Sequence, residues 1–215
     1  MEKDLGNYRK SYDKGSLLEQ SINKDPFDLF QLWFNEVDMH FQETETNAMT
    51  LSTIGSDGFP KSRVVLLKKF NSFGFVFYTN YESEKAKALA NTPQCCLSFH
   101  WESAERQVII KGIADKIDPS ESDAYFLSRP KGSQLGAWAS KQSTVIENRA
   151  ILDTQLQSLE NEYKNKPLNR PEFWGGYIVK PVEIEFWQGR ANRLHDRIRF
   201  KLSVNNSWDM DRLSP

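Results

Sequence analysis

Behind Asp25-Pro26 the apolar side chains recur at helical spacing, at Phe30, Trp33, Phe34, Val37 and Phe41, and an acidic cap followed by proline is a helix-opening pair. This predicts a helix with one apolar face. The period then falls to two: Ala48 to Ile54, Arg63 to Phe70 and Gly74 to Thr79 are short runs rich in β-branched and aromatic residues, with the turn Gly55-Ser56-Asp57-Gly58 between the first two. A short helix is expected over Ser83 to Ala90. Strands follow near Gln94 to Trp101 and Arg106 to Ile117, joined by the polar Glu102 to Glu105, so five strands precede the next helix. Asp118-Pro119-Ser120-Glu121 is a capping box that starts a helix through Ala124, Tyr125 and Leu127, ending before Pro130 with a second helix nearby. Val145 to Lys164 reads as a long amphipathic helix carrying Ile151, Leu152, Leu156 and Leu159 on one side. After a loop at Lys166 to Pro171, strands return at Gly176 to Trp187, Leu194 to Val204 and Trp208 to Leu213.

Strands joined by tight turns, with helices inserted as blocks, argue for an α+β fold on an antiparallel sheet closed into a barrel, and against a doubly wound parallel sheet. Residues 1–24 carry no sustained apolar period and are expected to form a mobile N-terminal arm, leaving 25–215 as a single domain. The 13% aromatic content supplies far too much buriable surface for a disordered chain. Lys and Arg total 28 against 29 Asp and Glu, so the global positive charge that would coat nucleic acid is missing. Polar residues interrupt every apolar run well short of the roughly 18 needed to span a bilayer. The first 25 residues lack a signal-peptide core, so a cytoplasmic protein with no membrane partner is expected.

Several chemistries fail on spacing. Cys95 and Cys96 are adjacent on a predicted strand and point to opposite faces, which suits buried thiols and not an ordinary disulfide. His40, His100 and His195 make no metal-ligand spacing with them, so no metal is expected. The stretch Gly55 to Ser62 imitates a phosphate loop, but Pro60 stands where the second glycine should be and removes a backbone N–H. The informative segment is Arg190 to Leu202. If extended, it places Arg193, His195, Arg197, Arg199 and Lys201 on one face and Leu194, Ile198, Phe200 and Leu202 on the other. Such like charges are either solvated or gathered around an anion, and arginine's planar fork suits phosphate. Further basic pairs, Arg63 with Lys68 and Arg129 with Lys131 near Ser133, make three clusters on separate elements, which fits two phosphorylated ligands. A five-residue separation puts Arg63 and Lys68 on opposite faces unless a bulge intervenes.

A series of short motifs runs essentially end to end along the chain: Asn47-Ala-Met, Arg63-Val-Val-Leu-Leu-Lys68, Phe77-Tyr-Thr-Asn80, Glu105-Arg-Gln-Val108, Tyr125-Phe-x-Ser-Arg-Pro130, Gly136-Ala-Trp138, Ser140-Lys-Gln-Ser143, Phe173-Trp-Gly-Gly176, Glu185-Phe-Trp-Gln-Gly189, Arg193-Leu-His-Asp-Arg197 and Arg212-Leu-Ser-Pro215. Together they make a resemblance to the pyridoxine/pyridoxamine 5'-phosphate oxidase family. It implies a split β-barrel homodimer with FMN at the subunit interface, oxidising pyridoxine 5'-phosphate and pyridoxamine 5'-phosphate to pyridoxal 5'-phosphate with O2 as acceptor. By position, the resemblance implies that FMN is held by Arg63, Val64, Val65, Leu66, Leu67, Lys68, Tyr78, Thr79, Lys85, Gln107, Gln142, Ser143, Trp187 and Arg197. The substrate phosphate would meet Lys68, Tyr125, Arg129 and Ser133. Arg193, Leu194 and His195 would lie at the substrate ring, with Arg193 and His195 as the catalytic pair and Arg9 and Tyr12 as lid contacts. One departure is Glu84, where relatives often carry a basic residue, which puts repulsion near the flavin phosphate. Two alternatives remain open: a split-barrel FMN protein acting on another substrate, and a nucleic-acid-binding module using the basic strand.

Overall fold

The computed structural model describes residues 3–8 and 10–215. Asp25 caps the first helix, α1 (Pro26–His40), its carboxylate accepting the Phe27 N–H, as the Asp-Pro pair predicts. Six strands follow where five were expected: β1 (Ala48–Ile54), β2 (Pro60–Leu66), β3 (Lys69–Asn71), β4 (Gly74–Asn80), β5 (Gln94–Trp101) and β6 (Arg106–Lys116). The extra strand arises because the predicted run Arg63 to Phe70 breaks at Leu67-Lys68. There the chain leaves the pairing of β2 with β1 and takes up that of β3 with β4. Leu67 turns into the core, and the Lys68 N–H bonds to the Val76 carbonyl.

The helix α2 (Glu84–Asn91) lies between β4 and β5, and α3 (Pro119–Ser128) and α4 (Lys131–Ala139) follow β6. The predicted 20-residue helix from Val145 is shorter, α5 (Ala150–Glu162), and Val145 is fully exposed. Amphipathic spacing continues into 145–149, but Val145 has no face to bury against. The chain ends in β7 (Trp174–Gln188), β8 (Asp196–Leu202) and β9 (Trp208–Leu213). The sheet order is β2-β1-β5-β6-β7-β4-β3, with β8 on β7 and β9 on β8; β3–β4, β4–β7, β7–β8 and β8–β9 pair antiparallel.

The chain forms two compact units: residues 1–50, 97–111 and 181–215, and residues 51–96 and 112–180. The core of the first unit is aromatic. Phe30 packs edge-on to Phe99 at 5.1 Å, Trp33 to Phe186 at 5.3 Å, and Phe186 to Phe200 at 5.9 Å. Full burial of each such ring contributes about 1.5–3 kcal/mol, which is why the helix keeps its apolar stripe. Residues expected to form a mobile arm make specific contacts here. The Asp13 and Lys14 N–H groups donate to Glu105 Oε2 at 2.8 and 3.1 Å, Leu17 is buried, and Arg212 pairs with Glu19. In the second unit Phe126, Leu135, Leu168 and Trp174 form a cluster under α3 and α4.

The basic strand differs from its prediction in two ways. β8 begins at Asp196, so Arg193, Leu194 and His195 come from the preceding turn and not from a strand face, and Leu194 is exposed. Carboxylates on the neighbouring strands also answer its cations: Arg197 pairs with Glu185 at 2.8 Å and Arg199 with Asp211 at 2.7 Å. Ile198 and Phe200 do form the buried face, whereas Leu202 is exposed near the strand end.

Candidate active site

A cavity of about 490 Å³ opens in the second unit, lined by β2, β4, α2, α3, α4 and the segment after α4. Its floor is a stack of three rings. Tyr78 lies 3.9 Å from Tyr125 and 5.4 Å from Trp174, all within 20° of parallel. Gly176 makes the stack possible, because a Cβ there would stand 2.9 Å from the Tyr78 ring and clash with Ile117. Burial pushes the Tyr78 phenol up to about 12, so its hydroxyl stays protonated at neutral pH.

Arg129 follows α3, where Pro130 forbids another helical turn, and its guanidinium lies 4.7 Å over Trp174. Its Nη1 is buried and has no hydrogen-bond partner among the described residues. Burial lowers the guanidinium's pKa, which marks a cation held in poor solvation. Lys68, Tyr125 and Ser133 line the same cavity, so the four residues assigned to a phosphate do converge.

A second cationic group sits towards α2. Lys85 is buried and donates to Gln142 Oε1 and Ser83 Oγ, both at 3.4 Å, and Thr79 Oγ1 also reaches Gln142 Oε1. Arg63 Nη1 donates to Thr53 Oγ1 at 2.7 Å and to the Leu51 carbonyl at 3.2 Å. Desolvation lowers the pKa of both cations, and the Arg63 charge lowers that of Lys85 further. Neither forms an ion pair with a carboxylate among the described residues, and such a pair of desolvated cations is suited to an anion. Glu84, expected to repel that anion, is held by Lys61 Nζ through both carboxylate oxygens at 2.6 and 2.7 Å. Lys61 offsets part of its charge, while Glu84 still raises the pKa of Arg63 and Lys85.

Val64, Val65 and Leu66 line the cavity along β2, whereas Leu67 is a core residue. Gln142 lines it too, while Ser143, at φ +70°, faces an adjoining hollow. The remaining residues belong to the first unit: Gln107 on β6, Trp187 on β7, Arg197 on β8, Tyr12, and the turn Arg193–His195. Three of them form an aromatic cluster. Trp187 and His195 are 4.6 Å apart, and Tyr12 meets them edge-on at 5.8 and 5.7 Å. A Cβ at Gly189 would stand 2.8 Å from Tyr12, so the glycine admits the arm. Asn192 and Arg193 adopt φ of +58° and +60°, a conformation that costs non-glycine residues energy and concentrates at functional sites. Arg9 lies outside the described residues.

Trp174, Thr53 and Glu185 were not anticipated, although they stack on Arg129, hold Arg63 and hold Arg197. Trp174 and Glu185 fall within motifs that carry the family resemblance, but nothing in the sequence assigned either of them a role at the site.

These features define a split β-barrel protein with a cation-lined, aromatic-floored cleft. Residues 36–161 match the family model described as pyridoxamine 5'-phosphate oxidase, and residues 174–215 match the pyridoxine 5'-phosphate oxidase C-terminal dimerisation region. The chain is 60% identical over 211 residues to a pyridoxine/pyridoxamine 5'-phosphate oxidase of Flavobacterium johnsoniae, covering 98% of this chain and 99% of that one. It is 59% identical to the Flavobacterium psychrophilum protein of the same name, covering 99% and 100%. Among solved structures, PhzG from Burkholderia lata 383, in complex with tetrahydrophenazine-1-carboxylic acid, superposes with a TM-score of 0.86 at 28% identity, over 96% of this chain and 100% of that one. The chain therefore belongs to the pyridoxine/pyridoxamine 5'-phosphate oxidase family. That membership sets aside the nucleic-acid module. No helix among the described residues is long and apolar enough to cross a membrane.

Proposed function

We propose that this protein oxidises pyridoxine 5'-phosphate and pyridoxamine 5'-phosphate to pyridoxal 5'-phosphate, using FMN and O2, in a homodimer whose sites take residues from both protomers. The observation that carries the reading is the buried Arg129 Nη1 without a partner, in a cavity it shares with Lys68, Tyr125 and Ser133. A phosphate monoester supplies the acceptor oxygens this cation lacks, and Lys68 adds a second charge and Ser133 a hydroxyl.

The desolvated pair Arg63 and Lys85, with Thr79 and Gln142, fits the phosphate of FMN, and the β2 segment Val64–Leu66, exposed at Val64 and half-buried at Val65 and Leu66, offers apolar contact to a flat ring. Leu67 contributes by packing β2 from the core side, and Lys68, just beyond β2, lies within reach of either ligand. Ser143, Gln107, Trp187 and Arg197 complete the cofactor set. Bound FMN supplies the two-electron acceptor for hydride leaving the substrate's alcohol or amine carbon. The chain's own contribution is to grip two phosphates at separate cationic sites and so fix the angle at which two rings meet. Arg193, Leu194 and His195 orient the substrate ring, with Tyr12 at its lid. Turnover of both esters by the flavin-loaded protein tests this: one pyridoxal 5'-phosphate and one H2O2 should form per ester consumed, with NH3 from the amine alone. Equal rates with the unphosphorylated alcohol would contradict the phosphate clamp.

A further inference from the structure

We propose that His195 acts as a hydrogen-bond donor through Nε2, and not as a base, because the main chain of Arg190 fixes its tautomer. The Arg190 N–H points at His195 Nδ1 at 3.1 Å. A main-chain N–H can only donate, so Nδ1 must present its lone pair, and the proton of the neutral ring then resides on Nε2. Neither nitrogen is left with a lone pair to accept a substrate proton. Protonating Nδ1 would set two N–H groups against each other and break the contact.

The arrangement is built into the fold and does not rest on a single loose loop. The Arg190 side chain is held by Asp196 Oδ2 at 3.0 Å, Arg212 Nη1 grips Asp196 Oδ1 at 2.9 Å, and the Leu17 N–H also donates to Asp196 Oδ2. The turn is closed by Leu194 N–H on the Ala191 carbonyl and takes its shape from the two left-handed residues Asn192 and Arg193. Trp187 from β7 and Tyr12 from the arm pack on the imidazole, which opposes the ring flip that would carry Nδ1 away from Arg190. The charged residues next to it along the turn are Asp196, engaged by two arginines, and the cations Arg190 and Arg193. No carboxylate bonds to the ring among the described residues. Asp196 is thus a positioning residue for His195, acting through Arg190. The donor role rests on the function proposed above; the tautomer does not.

Two measurements test this on the flavin-loaded dimer. Long-range ¹H–¹⁵N correlation of ¹⁵N-histidine protein, with His195 assigned by its loss in His195→Gln, should show the neutral form of the ring bearing its proton on Nε2. A proton on Nδ1 would overturn the proposal. In turnover, His195→Gln keeps an amide N–H at the position of Nε2 and should hold kcat within about fivefold of wild type, whereas His195→Ala should lose about 10- to 100-fold, as expected for one hydrogen bond to a reacting molecule. Equal losses in the two variants would overturn the donor role. If the wild-type protein turns over neither B6 ester, the assigned function fails, and the correlation experiment still decides the tautomer.

Discussion

Replacing Arg129 by methionine separates what this side chain does for ligand from what it does for the fold. Its guanidinium sits 4.7 Å over Trp174 and 5.8 Å from Phe126, yet the buried Nη1 bonds to nothing among the described residues. Methionine keeps a polarisable chain over the Trp174 ring and removes the charge. A charge-assisted hydrogen bond to phosphate is worth about 1.5–3 kcal/mol, so KM for pyridoxine 5'-phosphate should rise about 10- to 150-fold while kcat changes little. Stability should move the other way. Loss of the cation–π contact, about 2 kcal/mol for a desolvated cation, is offset by removing a cation that burial already disfavours. The ligand-free midpoint of thermal unfolding should therefore stay within about 3 °C of wild type or rise. Initial rates of H2O2 release at varied ester concentration, with calorimetry on the same samples, read both effects. An unchanged KM with a lowered midpoint would make Arg129 a structural cation and not a phosphate ligand.

Lys85→Met should reduce flavin affinity by about 10- to 100-fold, measured by quenching of FMN fluorescence, because it removes one of the two desolvated cations; unchanged affinity would remove Lys85 from the cofactor site. Lys61→Met should weaken FMN only a few-fold, since the Lys61–Glu84 pair is exposed, and Glu84→Gln should reverse that loss in the double variant. A double variant no better than Lys61→Met would show that Glu84 does not act on the cofactor. The Arg212 hydrogen bond lowers the Glu19 carboxyl from 4.5 to about 2, so its contribution to arm docking is complete above about pH 4.5 and is lost as pH falls through 2. Protease cleavage within residues 10–24 should accelerate over that interval in wild type and should already be fast at pH 7 in Arg212→Met. Equal wild-type and variant rates at pH 7 would argue against the anchor.

The parts of the fold set by local chemistry were legible in the sequence. Asp25 and Asp118 cap their helices with their own carboxylates, and Pro130 ends α3 where a proline must. The break at Leu67-Lys68 was not legible, because no glycine, proline or turn pair interrupts Arg63 to Phe70 and the strand divides only where its pairing partner changes. That division also answers whether Arg63 and Lys68 share one regular strand. They do not: Arg63 lies within β2, and Lys68 lies beyond its end. The same limit applies to the basic strand. Its cations can be counted along the chain, but Glu185 and Asp211, which neutralise two of them, come from neighbouring strands whose register the sequence does not display. Lys68, Tyr125, Arg129 and Ser133 were identifiable through the family resemblance, and the cavity shows them together. Trp174, which supports Arg129 from beneath, reads in sequence as one more core aromatic. The hydrogen bond that orients His195 comes from a main-chain group, on which side-chain identity is silent.

The proposed function requires two cationic sites to hold a flavin nucleotide and a B6 phosphate ester so that electrons pass between them. Anaerobic addition of pyridoxine 5'-phosphate to the FMN-loaded protein reads that transfer. The visible absorption of oxidised flavin should disappear with one equivalent of pyridoxal 5'-phosphate formed, and Arg129→Met should need about 10- to 150-fold more ester for the same bleaching. A flavin band that stays intact at saturating ester would mean that no electrons pass.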